Sequence, residues 1–562
     1  MFDWVKRKRQ QESPTETVSG ATPVRSVFPD PGDAQVAVLA RRAESLLDAD
    51  PAAALEILDT VIRIAPENIQ ALRLAGLASR RLRDNAAALD YFNLALHFSP
   101  HDWDLLRYKV DILRAVGETR IAKKELAEFL IIHPDNNEAK MQLAHVLYGN
   151  WNSQTAINLL REVVAADPSN CSALSFLGIL LAREAGDLER GEAAVSLALR
   201  VDPLFQAAKS NLGWILAEQG RLVEALKYFD EVLASDPDDF ETQLMRAYAN
   251  LKHGHFSAGW ADFGARLESP KYRRRGRVMP WLASDAGLTG KRVFVSSEQG
   301  LGDQIMFASC LPDLIAESPV CIVECDDRLV PLFRRSFPSA EVIGESTPES
   351  VRDQAIRVHG CSNEIPMGSL ARRYRNRLAD FPSHSGYLRA DQDKVDYWKR
   401  RLEQLGEGPK IGISWRGGAM STRQQLRSIP AGIMASKLAG IGKLVSLQYG
   451  NGMVEIGRNE DVGGVPVAWW RDAIDDYDQT AALVMALDLV ISVCTAVVHL
   501  CGALGKPVWV LVPAVAEWRY LAQGEGMPWY PSARIFRQSP SESWASVLER
   551  VARAARSNPP RK

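Results

Sequence analysis

The sequence predicts a multidomain chain in which an all-α array of helix-turn-helix repeats precedes an α/β domain of two parallel-sheet lobes. Proline recurs at Pro66, Pro100, Pro134, Pro168, Pro203 and Pro237, at intervals of 34, 34, 34, 35 and 34 residues. A period of that length marks stacked supersecondary units, each closed by a proline that cannot continue the second helix. Past residue 268 the pattern changes to short β-branched runs separated by helix-like stretches. Strands alternating with helices imply a mostly parallel sheet with right-handed crossovers. At 562 residues the chain is too long for a single core.

Within the array, Gly76, Ala88, Phe92 and Ala95 precede Pro100 at the offsets at which Gly213, Ala225, Phe229 and Val232 precede Pro237. Small residues let paired helices approach, and the phenylalanines fill the space between repeats. On these residues the segment 35–268 resembles the tetratricopeptide repeat family, and Gly259 and Phe263 mark an altered capping unit at its end. Such an array is a binding scaffold and by itself names no reaction. Residues 1–34, with Phe2 and Trp4 beside Lys6, Arg7, Lys8 and Arg9, read as a disordered basic and polar tail.

Lys and Arg total 67 against 69 Asp and Glu, a net charge of -2, which argues against non-specific binding to nucleic acid or an anionic membrane. Seven cysteines, at 171, 310, 321, 325, 361, 494 and 501, are too sparse for a disulfide scaffold and lack paired CxxC spacing. The expectation is a reducing cytoplasm. The basic start lacks the apolar stretch of a signal peptide, and no run approaches the length of a membrane span.

The stretch 269–289, rich in arginine, proline and glycine, reads as a linker. Six runs then read as strands: RVFVSSE (292–298), VCIVE (320–324), KIGISW (410–415), KLVSLQ (443–448), LVISV (489–493) and VWVLV (508–512). They fall into two Rossmann-like lobes, 290–407 and 408–545, with a polar helical stretch from Asp391 to Gly408 between the strand groups and a tail at 546–562. A ligand is expected in the cleft, at the carboxyl ends of the strands.

Three segments at such ends carry candidate chemistry. In Ser297-Glu298-Gln299-Gly300-Leu301-Gly302-Asp303, the glycines allow a tight turn and close ligand approach at a helix start. Spacing alone favours Asp303 as a helix cap over a catalytic group. The segment has neither the GxGxxG nor the GxxxxGK[ST] pattern, which disfavours NAD and ATP chemistry. In Ser492-Val493-Cys494-Thr495-Ala496-Val497-Val498-His499, Thr495 and the helix-start amides suit phosphate, and His499 follows one turn later. A histidine on an apolar helix is otherwise a structural residue. In Trp415-Arg416-Gly417-Gly418, continuing to Arg423 and Arg427, glycine amides and fixed cations suit a diphosphate, Arg427 more than Arg423.

In order, these segments resemble bacterial glycosyltransferases related to the lipopolysaccharide heptosyltransferases, which share the two-lobed GT-B fold. EQGLGDQIMFASCLPDL is similar to that family's Gly-Asp followed by a helix and Leu-Pro, and SVCTAVVHLCGALGKPVWVLV to its donor-site segment. The joined repeats resemble bacterial tetratricopeptide glycosyltransferases, some of which modify flagellin. The resemblance implies a general base at Asp303 and donor-binding roles for Gly300, Gly302, Arg416, Arg427, Thr495, Ala496 and His499, with Cys494 and Glu455 as looser donor-side matches. It further implies a metal-independent, inverting, cytoplasmic enzyme with no cofactor beyond its nucleotide-sugar co-substrate. Its partner would be a protein acceptor, bound by the repeats and modified on a Ser or Thr hydroxyl. Cys494 stands where the family has Asp, and a neutral thiol cannot accept the strong hydrogen bonds of a carboxylate. The rival expectation is a repeat-scaffold adaptor or chaperone whose lobes have lost their chemistry.

Overall fold

The computed structural model describes residues 31–149, 152–269, 272, 278–282, 287–288, 290–318, 320–418, 423–450 and 461–557. Its contacts divide into two units, Met1–Asn150 and Trp151–Lys562, so the division falls inside the repeat array.

The first unit consists, among the described residues, of helices from Pro31–Leu46 to Asn137–Gly149. Asn68, Asp84 and Asp102 cap successive helices by accepting from the amides of Ala71, Ala87 and Leu105. Helices end at Ile64, Phe98 and Ile132, two residues before Pro66, Pro100 and Pro134. The small-residue rule has a direct geometric basis here, since a Cβ on Gly76 would lie 2.7 Å from Phe92 Cζ. Ala88, Phe92 and Ala95 are fully buried around that contact.

The second unit opens with helices Ser153–Ala166 to Phe256–Phe263 and the short turn Gly264–Glu268. The same packing recurs, a Cβ on Gly213 falling 2.9 Å from Phe229 Cε1. Strands follow: β1 (Val293–Ser296), β2 (Cys321–Cys325), β3 (Glu341–Gly344), β4 (Asn363–Pro366), β5 (Lys410–Ser414), β6 (Lys443–Ser446), β7 (Asp461–Val462), β8 (Val465–Ala468), β9 (Leu489–Val493), β10 (Val508–Val512), β11 (Gly526–Met527) and β12 (Tyr530–Arg537). The first sheet is parallel, in the order β3-β2-β1-β4. The second runs β11-β12-β10-β9-β5-β6-β8-β7, with antiparallel pairs only at its two ends. Its six inner strands, β8-β6-β5-β9-β10-β12, follow the 3-2-1-4-5-6 order of a doubly wound sheet, whose switch point lies between β5 and β9. Ser414 and Ser492 are register partners there, so the loops after both strands start side by side.

Each of the six runs read as strands coincides with or overlaps one. β3, β4, β7, β8, β11 and β12 lie outside that reading: the first five span no more than four residues each, and YPSARIFR mixes polar residues with a proline. Helix Gln392–Glu403, capped by Asp391, fills the polar stretch between the strand groups. Two boundaries are corrected. Helix Pro31–Leu46 begins within the expected amino-terminal tail. Residues 546–562, read as a tail, supply most of helix Trp544–Ser557, whose Val547, Leu548, Val551 and Ala555 recur at helical spacing and pack in one core with Met434 and Leu438.

Most of the expected linker lies outside the described residues, but the core continues across it. Ala247, Leu251, Phe256, Trp260 and Phe263 of the last repeats share one cluster with Val293, Phe307, Trp518 and Trp529 of the α/β domain. Trp260 meets Trp518 edge-on at 5.5 Å and Phe307 at 6.3 Å. A buried ion pair reinforces the junction: Arg266 donates Nε to Glu298 Oε2 at 2.7 Å and Nη2 to Oε1 at 2.5 Å. Glu298 also accepts the Gly368 amide at 2.5 Å, and Arg266 also donates to Ser369 Oγ at 2.9 Å.

Removing one member of a buried, hydrogen-bonded pair leaves the other charge uncompensated. Arg266→Met is therefore expected to cost about 3–5 kcal/mol, and Arg266→Met with Glu298→Gln distinctly less. Urea unfolding followed by fluorescence of the surrounding tryptophans measures both; a single variant no worse than the double would contradict the assignment.

Candidate functional site

Four loops converge at the carboxyl ends of β1, β5, β9 and β10. After β1, Gln299 sits at φ +63°, an unusual conformation for a residue with a side chain. Gly300 then opens helix Leu301–Phe307. Asp303 lies in the first turn of that helix, where its Oδ2 accepts the Gly300 amide at a long 3.4 Å. Its Oδ1 accepts from Arg519 Nε at 2.8 Å and also from Arg519 Nη2. Asp303 is thus a helix-start carboxylate, as spacing suggested, and also the anchor of an ion pair to the loop after β10.

Gly302 explains how the lobes meet. A Cβ there would lie 3.0 Å from His499 Cδ2 and 3.3 Å from Ala496 Cα, so the absent side chain lets the two helix starts touch. On the other side of that contact, Thr495 caps helix Ala496–Ala503, its Oγ1 accepting the Val497 amide at 3.2 Å. Thr495 is buried, as is His499, whose Nδ1 lies 3.1 Å from the Tyr530 hydroxyl. Burial pushes the His499 imidazole down to about 4, against an opposing pull from Asp303 and with help from Arg519 and Arg427. The histidine is therefore a neutral, hydrogen-bonded group at neutral pH.

The loop after β5 is held by Gln448, whose Oε1 accepts from the amides of Trp415 at 3.0 Å and Arg416 at 2.9 Å while its Nε2 donates to the Arg416 carbonyl at 3.2 Å. Arg416 forms an isolated antiparallel bridge with Ser428. Between them Arg427 folds back over Gly417, where a Cβ would come within 2.9 Å of its side chain. Arg427 Nη1 donates to the Cys494 carbonyl at 2.6 Å, tying the loops after β5 and β9 together. The Cys494 thiol points away into the core, 3.6 Å from the Leu511 carbonyl, and burial raises it to about 11. Glu455 lies outside the described residues.

The loop after β10 carries the charges that complete the site. Glu517 Oε1 accepts from Arg423 at 2.7 and 3.2 Å, and its Oε2 lies 4.0 Å from Arg519. Burial works against the Glu517 carboxylate, but Arg423 and then Arg519 outweigh it and hold the group at about 2. The result is an alternating series Arg423, Glu517, Arg519, Asp303 spanning the lobes. Arginines separated from their partners by about 100 or 200 residues leave no local sequence pattern, so only the topology exposes them. Trp518 and Tyr520 in this loop are buried, and Trp470 packs on Trp398 at 5.4 Å.

The cluster thus holds a fixed carboxylate, a neutral imidazole and several guanidinium groups at strand ends, the elements of proton acceptance and anion stabilisation. Residues 41–102 and 176–240 match the tetratricopeptide repeat family, and the chain carries these repeats ahead of its α/β domain. Over 508 residues it is 29% identical to Protein FlbA of Caulobacter vibrioides, covering 86% of this chain and 84% of that protein, so the similarity extends well past the repeats. It is also similar to Tetratricopeptide repeat protein 21A of Mus musculus, 26% identical over 155 residues, covering 26% of this chain and 12% of that protein. Among solved structures, a tetratricopeptide repeat protein from Parabacteroides merdae matches 44% of this chain and 94% of its own at a TM-score of 0.37 and 17% identity. A thermophilic repeat protein of Thermus thermophilus matches 33% of this chain and 99% of its own at a TM-score of 0.29 and 21% identity. No helix among the described residues is long and apolar enough to cross a membrane.

The imidazole makes a pH prediction. Below pH 6.5 the unfolded His499 takes up a proton that the folded protein refuses until about pH 4. Its contribution to stability is complete above 6.5 and is lost as pH falls toward 4, at up to about 1.4 kcal/mol per pH unit. Urea midpoints of His499→Gln should fall less steeply across this interval than those of the wild type; equal slopes would remove His499 as the source.

Proposed function

We propose that the chain is a metal-independent glycosyltransferase with a GT-B arrangement of lobes, moving a sugar from a nucleotide-sugar donor to a protein captured by the repeats. The observation that carries this reading is the convergence of Asp303 with the Thr495–His499 helix start across the Gly302 contact, at the switch-point ends of the strands. Arg519 occupies Oδ1 of Asp303 and leaves Oδ2 with the long Gly300 contact alone among the described residues. That oxygen takes the proton of an acceptor Ser or Thr hydroxyl as its oxygen attacks the anomeric carbon. The bond from that carbon to the donor phosphate breaks, and the electron pair leaves on the nucleotide diphosphate. Arg427 and Arg416 stabilise this charge, and direct displacement inverts the anomeric centre. Flagellin is the acceptor to test first.

A second reading, a repeat-scaffold adaptor without chemistry, draws on one observation: the Arg519 pair and the helix cap already give Asp303 a structural role. Intact-mass measurement of proteins co-purified with wild type and with Asp303→Asn separates the two. Transfer is expected to fall by about 10²–10⁴ in the variant while partner capture persists. A partner left unmodified by the wild type would establish the adaptor, and wild-type transfer by Asp303→Asn would remove Asp303 as the base.

A further inference from the structure

The loop that holds Asp303 is itself held by the repeat array, and Lys252 supplies the polar contacts. Lys252 ends the repeat helix Phe240–Lys252 and is buried. Its Nζ donates to the Ala516 carbonyl at 3.0 Å and to Glu218 Oε2 at 2.5 Å. Its own carbonyl accepts the Ala522 amide at 2.8 Å. Lys252 therefore grips the loop at both ends, and Glu517, Trp518 and Arg519 lie between the grips. Leu521, next to the second grip, has φ +56°, a conformation that a leucine adopts only where its surroundings impose it. Tyr248, one turn earlier on the same helix, stacks on Trp518 at 6.4 Å, and the Arg519 guanidinium lies 4.5 Å over that tryptophan's ring.

We propose that Lys252 is a positioning residue for Asp303: by clamping residues 516–522 it fixes Arg519, and Arg519 fixes the carboxylate. The inference rests on the reading of Asp303 as the proton acceptor. Two strands of the geometry favour it over simple packing. A long buried side chain carrying a charge is costly to keep, and burial pulls the Lys252 ammonium downward, with Glu218 opposing. An apolar residue would fill the space, but it would lack the donor that reaches Ala516. The contacts then run without a gap from Glu218 through Lys252, the 516–522 loop and Arg519 to Asp303 on the other lobe. A protein seated on the repeats is thereby connected to the reacting oxygen through rigid elements, and movement of the helix Phe240–Lys252 on binding would reposition that oxygen.

The test uses full-length protein as wild type, Lys252→Met, and Glu218→Gln with Lys252→Met, the double variant leaving no orphaned charge if the single one folds poorly. Hydrogen exchange read by mass spectrometry reports local opening. Peptides covering 514–523 and also 297–307 should exchange at least several-fold faster in the variants, while β5 and β6 remain as protected as in the wild type. With a sugar donor and acceptor identified, kcat should fall on the order of 10²-fold, the effect of a small misplacement at the reacting centre, with KM for the donor little changed. Unchanged exchange at 297–307 beside loosened 514–523 would overturn the proposal, as would an unchanged kcat. Coupled loosening in a protein that transfers no sugar would uphold the clamp on Asp303 and overturn the transferase reading instead.

Discussion

Everything at the strand ends depends on the segment from Glu298 to Asp303 being fixed at both ends by arginines. Arg266, from the last turn of the repeat array, holds Glu298 in a fork of two hydrogen bonds, and Arg519, from the second lobe, holds Asp303. Gln299 then adopts its left-handed conformation because the residues on either side are already placed. A carboxylate buried as deeply as Glu298 persists only when paired and hydrogen-bonded, so the geometry of the first lobe's loop cannot be separated from the repeats that supply its counter-charge. The aromatic cluster of Trp260, Phe263, Phe307, Trp518 and Trp529 surrounds this junction and excludes water from it.

Charge is organised as a series rather than as isolated pairs. Glu517 faces Arg423 and Arg519, and Arg519 faces both Glu517 and Asp303. An alternating row of this kind lets each partly buried ion see an opposite neighbour, which reduces the desolvation cost that a lone pair would carry. It also delivers an orienting group to one oxygen of Asp303 while the opposite oxygen keeps a weak contact to the Gly300 amide. His499, neutral beside this row, adds an apolar wall and a hydrogen bond to Tyr530 without adding a charge that would compete for Asp303.

Local pattern made much of this legible. The 34-residue proline period located the repeats, and Gly76 and Gly213 marked close helix approaches that the structure contains, whereas Gly302, read for ligand approach, packs on His499 and Ala496. β9 and β10 lie where their uninterrupted β-branched runs placed them. Three kinds of feature escaped. Short or proline-bearing strands such as β4 do not reach the length at which alternation becomes a signal. The amphipathic helix Trp544–Ser557 was passed over because its charged face dominates the composition of the end of the chain. Arg266, Arg519 and Glu517 act through partners far away in sequence, and a long-range ion pair has no local signature. Asp303 was weighed as a cap against a catalytic group, and its geometry satisfies the cap while supplying a second, interlobe partner that spacing could not suggest.

The cysteine at 494 is better understood from its backbone than from its thiol. Arg427 donates its hydrogen bond to the backbone carbonyl of residue 494, a group that any residue there provides. The thiol itself faces the Leu511 carbonyl on the neighbouring strand, in a site where burial strongly disfavours its ionised form. A carboxylate with the same orientation would be desolvated next to a carbonyl oxygen and would have to find a donor, with Arg427 nearby as the obvious one. With cysteine the guanidinium is not drawn toward a side-chain anion at 494 and stays on the backbone, over Gly417 and beside the Arg416 loop. Cysteine at this position therefore removes a negative charge from the cluster while leaving its cation in place, which raises the net positive character facing any anion bound at these strand ends.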